Sequence, residues 1–371
     1  MKAIGIILAG GNNEMRLGDL TSSRAASALP VGSCYRAIDF PLSNMSNSMI
    51  NKVAVITQYN SRSLHDHLSS SKWWDFGRKQ GGLYIFTPYM SNDNSLWFRG
   101  TADSIYRNIS FLERSNENYV VITSGDAIYK MDYRKVIEYH KEKNADITVV
   151  CKEMCDRDLT MFGIMKLDEN NRISEFEEKP IEPQTNIASL GIYIISRTLL
   201  IDLLNEIIPE GRFDIVKDII IRFRRKLKIY GYKFDGYWSS IGSGVMDYFN
   251  ANMDFLKDDV RKEFTKNFPY TFTKPKDEPP VKYNDGAEVL NTIIGGGSII
   301  NGHVEHSVLF RRVYIGENTL IKNSILMEGC YIGNNCVIEN AILDKQVVVS
   351  DEKHIKGDIL SPAVFKKRSS I

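Results

Sequence analysis

The segments SVLFRRVYIGENTLIKN (Ser307–Asn323), SILMEGCYIGNNCVIEN (Ser324–Asn340) and AILDKQVVVSDEKHIKG (Ala341–Gly357) fall into register when the chain is aligned on itself at a shift of 17 residues. Val308, Ile325 and Ile342 coincide, as do Ile315, Ile332 and Val349, and Gly316 and Gly333 follow the second set. Single aliphatics set apart by small or polar turn residues cannot form the apolar stripe of a helix. Three short strands per coil can turn those aliphatics inward. The repeat therefore predicts a parallel β-helix of hexapeptide type. NTIIGGGSIINGHVEH (Asn291–His306) fits more loosely, as a terminal coil does. Each coil buries its apolar face only against a neighbour, so this domain reads as scaffold and oligomer contact. A hexapeptide acyltransferase needs a catalytic histidine in a long inter-coil loop, whereas His303, His306 and His354 fall within compact coils.

Upstream, KDDVRKEFTKNFPYTFTKPKDEPPVKYN is polar and carries Pro269, Pro275, Pro279 and Pro280. Residues 257–284 are expected to form a linker between a first domain at 1–256 and the β-helix at 285–371. In the first domain AIGIIL (Ala3–Leu8) is a short apolar run meeting the glycine turn Ala9–Gly11, which suits backbone amides approaching a phosphate. Strand-like runs recur at 52–57, 119–123, 146–151 and 191–195, with helix-like stretches such as 132–142 between them. This alternation predicts an α/β domain with a mainly parallel sheet, helices on both faces and ligands at the carboxyl ends of the strands.

The 371 residues are long enough for two domains, and 43% hydrophobic with 25% charged residues is the balance of a folded globular protein. A net charge of +1 lacks the basic excess that binds nucleic acid. No apolar run reaches the ~18 residues that span a bilayer. The start MKAIGIILAGG has no cleavage signal, so the expectation is a cytoplasmic protein without nucleic-acid or membrane partners. Five cysteines, Cys34, Cys151, Cys155, Cys330 and Cys336, suit reduced thiols; Cys151 and Cys155 have no second pair nearby to hold zinc. Cys330 and Cys336 read as small core or turn residues.

Eight blocks in order carry a resemblance that covers nearly the whole chain: LAGG (Leu8–Gly11), YRAIDFPLSN (Tyr35–Asn44), TQYNSRSL (Thr57–Leu64), FRGTADS (Phe98–Ser104), SGDAIYKMDY (Ser124–Tyr133), FGIM with RISEFEEKP (Phe162–Met165, Arg172–Pro180), ASLGIY (Ala188–Tyr193) and YWSSIGS (Tyr237–Ser243). Together with the β-helix they resemble the ADP-glucose pyrophosphorylases, or glucose-1-phosphate adenylyltransferases. The resemblance implies a nucleotidyltransferase-type Rossmann-like mixed-sheet domain, a helical linker, a left-handed β-helix and a tetramer. It also implies synthesis of ADP-glucose and pyrophosphate from ATP and glucose 1-phosphate, with Mg2+, for glycogen. By the same resemblance Leu8, Ala9, Gly10, Gly11, Gly100 and Asp126 are nucleotide-site candidates. Glu178, Lys179, Ser189, Tyr193 and, more loosely, Asp214 are sugar-phosphate candidates.

The reaction must hold two anions together, neutralise charge developing on pyrophosphate and coordinate magnesium. Where the family reads G-G-x-G-T-R-L, this chain reads GGNNEMRL (Gly10–Leu17), with an extra residue, an acidic Glu14 and Arg16 as the candidate catalytic arginine. Where the family reads R-A-K-P-A-V-P, RAASALP (Arg24–Pro30) puts Ala26 in place of the lysine; the alternative is relocation of that charge to Arg24 or another residue. The two magnesium aspartates of the family correspond to Asp126 and Ser240, so a neutral hydroxyl replaces one carboxylate, and Ser239 replaces the neighbouring arginine. Magnesium binding is therefore doubtful in this chain. Departures gathered at the triphosphate and metal positions resemble the regulatory, GlgD-type branch of the family in Firmicutes. The implied partner is a catalytic homologous subunit in a hetero-oligomer, a tetramer by resemblance. Two other readings stay open: an active adenylyltransferase with a compensated site, and a non-catalytic sensor of sugar phosphates or nucleotides.

Overall fold

The computed structural model describes residues 2–11, 14–77, 81–89, 97–154 and 158–371, without the side chain of Glu14. The first domain contains strands β1 (Ala3–Leu8), β2 (Lys52–Ile56), β3 (Gly82–Phe86), β4 (Tyr119–Ser124), β5 (Ala127–Tyr129), β6 (Ile147–Glu153), β7 (Gly163–Leu167), β8 (Ile173–Glu178), β9 (Ile187–Ser196), β10 (Ile229–Lys233) and β11 (Trp238–Ser240). Nine of them form one sheet in the order β8-β7-β9-β4-β1-β2-β3, with β6 on β9 and β10 on β6. Alternate residues serve opposite faces, as the two-residue period of a strand requires. Ile4, Ile6, Val120 and Ile122 pack with Leu200, Leu204 and Ile207 of helix Arg197–Ile207. Ile7, Val53, Val55 and Val121 pack on the other side with Trp74, Tyr133 and Ile137.

The sheet is mixed, as the resemblance implies, and not mainly parallel as the alternation of strand-like and helix-like runs alone suggests. Pairs β1–β2, β1–β4, β2–β3 and β6–β10 are parallel, while β9 runs antiparallel to β4, β6 and β7, and β7 to β8. The connection between β7 and β8 is too short for a crossover, so that pair can only be a hairpin. The run expected at 191–195 extends from Ile187 to Ser196, with a register shift between Ser189 and Ile192 that broke the apolar pattern. Helix Tyr133–Glu142 forms where expected, capped by Asp132, whose side chain accepts from the Arg134 N–H.

The repeats form a left-handed parallel β-helix with three five-stranded ladders. One contains Ile299–Ile300, Tyr314–Ile315, Tyr331–Ile332 and Val348–Val349; a second contains His303–Glu305, Leu320–Lys322, Val337–Glu339 and His354–Lys356; the third contains Val308–Leu309, Ile325–Leu326, Ala341–Leu343 and Ala363–Phe365. Ile315, Ile321, Ile332, Ile338, Cys330 and Cys336 fill the interior. Cys34, Cys151, Cys330 and Cys336 carry free thiols; Cys155 lies outside the described residues.

Part of the segment read as a linker is ordered against both domains. Its helix Asp258–Thr265 buries Val260 and Phe264, and the first β-helix ladder begins within it at Lys282. Phe264 joins Phe40, Phe255 and Tyr248 of the first domain and Val308, Phe310, Ile325, Met327 and Ile342 of the β-helix in one apolar cluster. The third ladder is thus the face on which the first domain sits. No helix among the described residues is long and apolar enough to cross a membrane.

Candidate active site

The carboxyl ends of β1, β2 and β4 and residues of β8 and β9 in the antiparallel part of the sheet enclose a cleft of about 530 Å³, within the usual range for a small-molecule site. Sheet order fixes its polarity. At one end lie Ile56, Gln58 and Tyr59 after β2 and Leu8, Ala9, Gly10 and Gly11 after β1. Ser124 and Asp126 after β4 stand in the middle, and Gly191, Tyr193, Glu178 and Lys179 from β9 and β8 form the other end. Thr101, Asp214, Ile215 and Val216 complete that second end, and Gly100, a nucleotide-site candidate from the sequence, stands there too, against Phe213, and not beside Gly10 and Gly11.

Local chemistry explains how these residues are held. Gly100 lies against the Phe213 carbonyl, where a Cβ would come within 2.4 Å of the oxygen, so a side chain there would push the loop out of place. The Ala102 N–H donates to the same carbonyl at 2.8 Å. The register shift in β9 puts Gly191 at φ 68° and turns it into the cleft, a conformation that glycine adopts without a steric penalty. Lys179, which is not glycine, also takes a positive φ of 53°, costing about 1 kcal/mol. Its N–H donates to the Phe162 carbonyl at 3.0 Å, fixing the turn that brings it to the cleft.

The sugar-phosphate candidates are mostly brought together. Lys179 Nζ is 3.8 Å from Glu178 Oε1. Burial holds the Glu178 carboxyl above the usual glutamate range, against the pull of that ammonium. Burial also pushes the Tyr193 phenol well above its ordinary value, while its bond to Ser189 works the other way. Ser189 is buried and does not line the cleft; it supports Tyr193 from behind. Asp214 lines the cleft but also caps the turn after it, with Oδ1 accepting from the Val216 and Lys217 N–H groups at 2.8 Å each. The sequence candidates omitted Arg99, Gln58 and Thr101, although the blocks TQYNSRSL and FRGTADS contain them. Arg99 stacks on the Phe213 ring at 3.7 Å and pairs with buried Asp103 at 3.0 Å. Gln58 Oε1 accepts from the Phe98 N–H at 2.7 Å.

The other end departs from what adenylyl transfer needs. Ala26 sits in the cleft wall, in a turn spanning Ala26–Ala28, and offers only a methyl group to it. Arg24 does not compensate: it is 3% exposed and both Asp344 oxygens accept from its Nη2 at 2.8 Å, on the β-helix side of the interface. Arg16 is exposed and outside the cleft. Its neighbour Leu17 is fully buried and anchors the short helix Glu14–Leu17, so Arg16 projects elsewhere. Asn12, Asn13 and the Glu14 side chain lie outside the described residues.

Asp126 is held by Ser124, whose Oγ donates to Asp126 Oδ1. Strand β11 pairs antiparallel with β5, setting Ser240 opposite Ala127, and the Ile241 N–H donates to the Asp126 carbonyl at 3.0 Å. The fold thus delivers residue 240 beside Asp126, and there it supplies a hydroxyl. One carboxylate and a serine do not fit a hard dication that takes oxygen anions, and no group of three or more acidic, His or Cys side chains suited to a metal occurs among the described residues.

Comparison with known proteins agrees with this architecture. Residues 4–258 match the family described as nucleotidyl transferase, and residues 279–361 the family described as GlmU-like, C-terminal hexapeptide. The chain is 39% identical over 322 residues to a glucose-1-phosphate adenylyltransferase of Mycoplasma mobile, covering 86% of this chain and 84% of that one. It is 42% identical over 322 residues to that of Clostridium botulinum, covering 86% and 83%. To that of Geobacillus stearothermophilus it is 39% identical over 327 residues, again covering 86% and 83%. A match of this depth across both domains means that the chain belongs to the glucose-1-phosphate adenylyltransferase family of nucleotidyl transferases.

Proposed function

We propose that this chain is a regulatory subunit of a glucose-1-phosphate adenylyltransferase in glycogen biosynthesis, making little or no ADP-glucose alone. It assembles with a catalytic homologous subunit in a cytoplasmic hetero-oligomer and raises that subunit's activity or alters its effector response. In the family reaction a phosphate oxygen of glucose 1-phosphate attacks the α-phosphorus of ATP, and the bond to pyrophosphate breaks. Charge developing on the leaving pyrophosphate needs cations placed in advance. The reading is carried by Ala26 in the cleft wall while Arg24 is bound to Asp344, leaving no arginine or lysine among the described lining residues that come from β1, β2 or β4 or from the Ala26–Ala28 turn. Ser240 beside Asp126 supports it from the metal side.

The test is pyrophosphate release by the purified chain with ATP, magnesium and glucose 1-phosphate, alone and mixed with a catalytic homologue. The expected result is turnover far below the ordinary enzyme median of ~10 per second for the chain alone. The mixture should form a joint oligomer with altered turnover or effector response. Turnover near that median by the chain alone would identify an active adenylyltransferase with a compensated site. Unchanged turnover of the catalytic subunit and no mixed oligomer would refute the regulatory role.

A further inference from the structure

The three ladders of the β-helix differ in what they turn outward. The third is covered by the first domain. On the second, Glu305 pairs with Lys322 at 3.1 Å and Glu339 with Lys356 at 3.2 Å, the alternating charges of a face kept in water. The first points Ile300, Ile315, Ile332 and Val349 into the core, so strand alternation turns Ile299, Tyr314, Tyr331 and Val348 out, one above the next. Ile299, Tyr331 and Val348 are 37%, 46% and 42% exposed, and the Tyr314 and Tyr331 rings stack with centroids 4.7 Å apart. At ~4.8 Å between strands this is an apolar stripe roughly 14 Å long, with exposed Lys282 beyond its first end.

The turns on either side of the stripe carry opposite charge. Those entering it from the third ladder hold Arg312 at the level of Tyr314 and Gln346 at the level of Val348, with Arg368 donating to Gln346 Oε1 at 2.9 Å. Glu328 on that edge is neutralised by Arg311 at 3.2 Å and Lys345 at 3.0 Å. Those leaving it toward the second ladder hold Glu317 at the level of Tyr314, and Asp351 and Glu352, followed by Lys353, at the level of Val348. Arg312 pairs with Glu278 at 2.7 Å yet stays 64% exposed, and Glu317, Asp351 and Glu352 are exposed as well.

We propose that this first-ladder face is a homodimer interface, occupied by the same face of a second copy of this chain with the two β-helices parallel. A two-fold axis running along the stripe keeps every coil at its own level and exchanges the two edges. Arg312 then meets Glu317 of the second copy, the Arg368 edge meets its Asp351 and Glu352, and Tyr331 meets its Tyr331. A two-fold axis across the stripe would set acid on acid, so the charges select the parallel arrangement. A stripe one side chain wide falls well short of the ~800 Å² a side that a stable interface buries, which is why the charged edges have to take part. The proposal goes beyond the regulatory reading and does not depend on it: the dimer is expected whether or not the chain is a catalyst.

Sedimentation equilibrium on the full purified chain tests this. The expected species is a dimer, or an assembly built from dimers, at micromolar concentration. Tyr331→Glu, at an exposed position, should raise the dissociation constant about a hundredfold or more while the far-ultraviolet circular dichroism stays that of the parent. Arg312→Glu alone and Glu317→Arg alone should each raise it roughly tenfold or more. The two together should restore the dimer, because exchanging the charges leaves every facing pair opposite in sign. A chain that is monomeric up to about 100 μM, or an oligomer untouched by Tyr331→Glu, overturns the inference. Failure of the paired charge exchange to restore the dimer overturns it as well. Pairing through this face with a catalytic homologue and never with a second copy would overturn the proposed occupant and leave the regulatory role standing.

Discussion

At position 26 a methyl group lines the cleft, and at position 240 a hydroxyl stands one residue across the ladder from Asp126. On the reading proposed above, these two side chains account for the missing chemistry. Restoring it with the double substitution Ala26→Lys, Ser240→Asp should raise pyrophosphate release about a hundredfold or more over the parent chain, the scale of one well-placed electrostatic group. Each single variant should recover less, because metal and cation act on the same developing charge. Coupled assays at saturating ATP and magnesium would measure this; no gain from the double variant would place the deficiency elsewhere. Ala26 and Ser240 were readable as substitutions from motif blocks alone. The positions of Arg16 and Arg24 were not, since a side chain's direction depends on which neighbour is buried. Leu17 and Asp344 make that choice.

Single elements obey local rules closely enough for a pH effect to be assigned to one of them. Helix Tyr133–Glu142 buries Tyr133, Val136, Ile137 and His140, the spacing of one helical face, and this was legible in the sequence. His140 Nδ1 lies 2.9 Å from Thr148 Oγ1 of β6, and its ring meets Tyr119 edge-on at 5.4 Å. Burial lowers its pKa from 6.5 to about 4. The unfolded chain therefore takes up this proton first: the contribution is fully present above pH 6.5 and is lost as pH falls toward 4. By pH 5 the loss is about 2 kcal/mol. Urea unfolding at pH 7 and pH 5 should show a stability difference smaller by about that amount in His140→Gln, whatever that variant costs at pH 7. The short strands β3 and β10 were harder to read. They run Gly82–Phe86 and Ile229–Lys233 with polar or glycine neighbours, and only pairing with β2 and β6 makes them strands.

Across the whole molecule, the two domains are joined by an apolar cluster and by the Arg24–Asp344 pair, 3% and 0% exposed. Tyr248, fully buried beside them, donates to the Pro30 carbonyl at 2.8 Å. Removing one partner of a buried ion pair strands the other charge, so Asp344→Leu should destabilise the chain by roughly 3–5 kcal/mol in chemical denaturation. The double variant Arg24→Met, Asp344→Leu should recover most of that loss, because two apolar side chains replace two charges in a packed interface. Failure of the second change to rescue the first would show that the pair fixes the domain orientation rather than merely satisfying itself. Arg24 lies two residues before Ala26 in the cleft wall, so the contact that seats the β-helix also holds one side of the site.

By itself the sequence determined the β-helix and its 17-residue coil, the glycine turn after β1 and the family. These rest on periodicity, turn chemistry and ordered motifs, all of which are local along the chain. Only the tertiary structure decided which strands run antiparallel around β9, that helix 258–265 buries Val260 and Phe264, and that Ser189 bonds Tyr193 without lining the cleft. It also decided that Arg24 belongs to the interface. Those outcomes depend on which distant groups share a dry environment. Asp344, 320 residues away, satisfies Arg24, and no local pattern encodes that pairing.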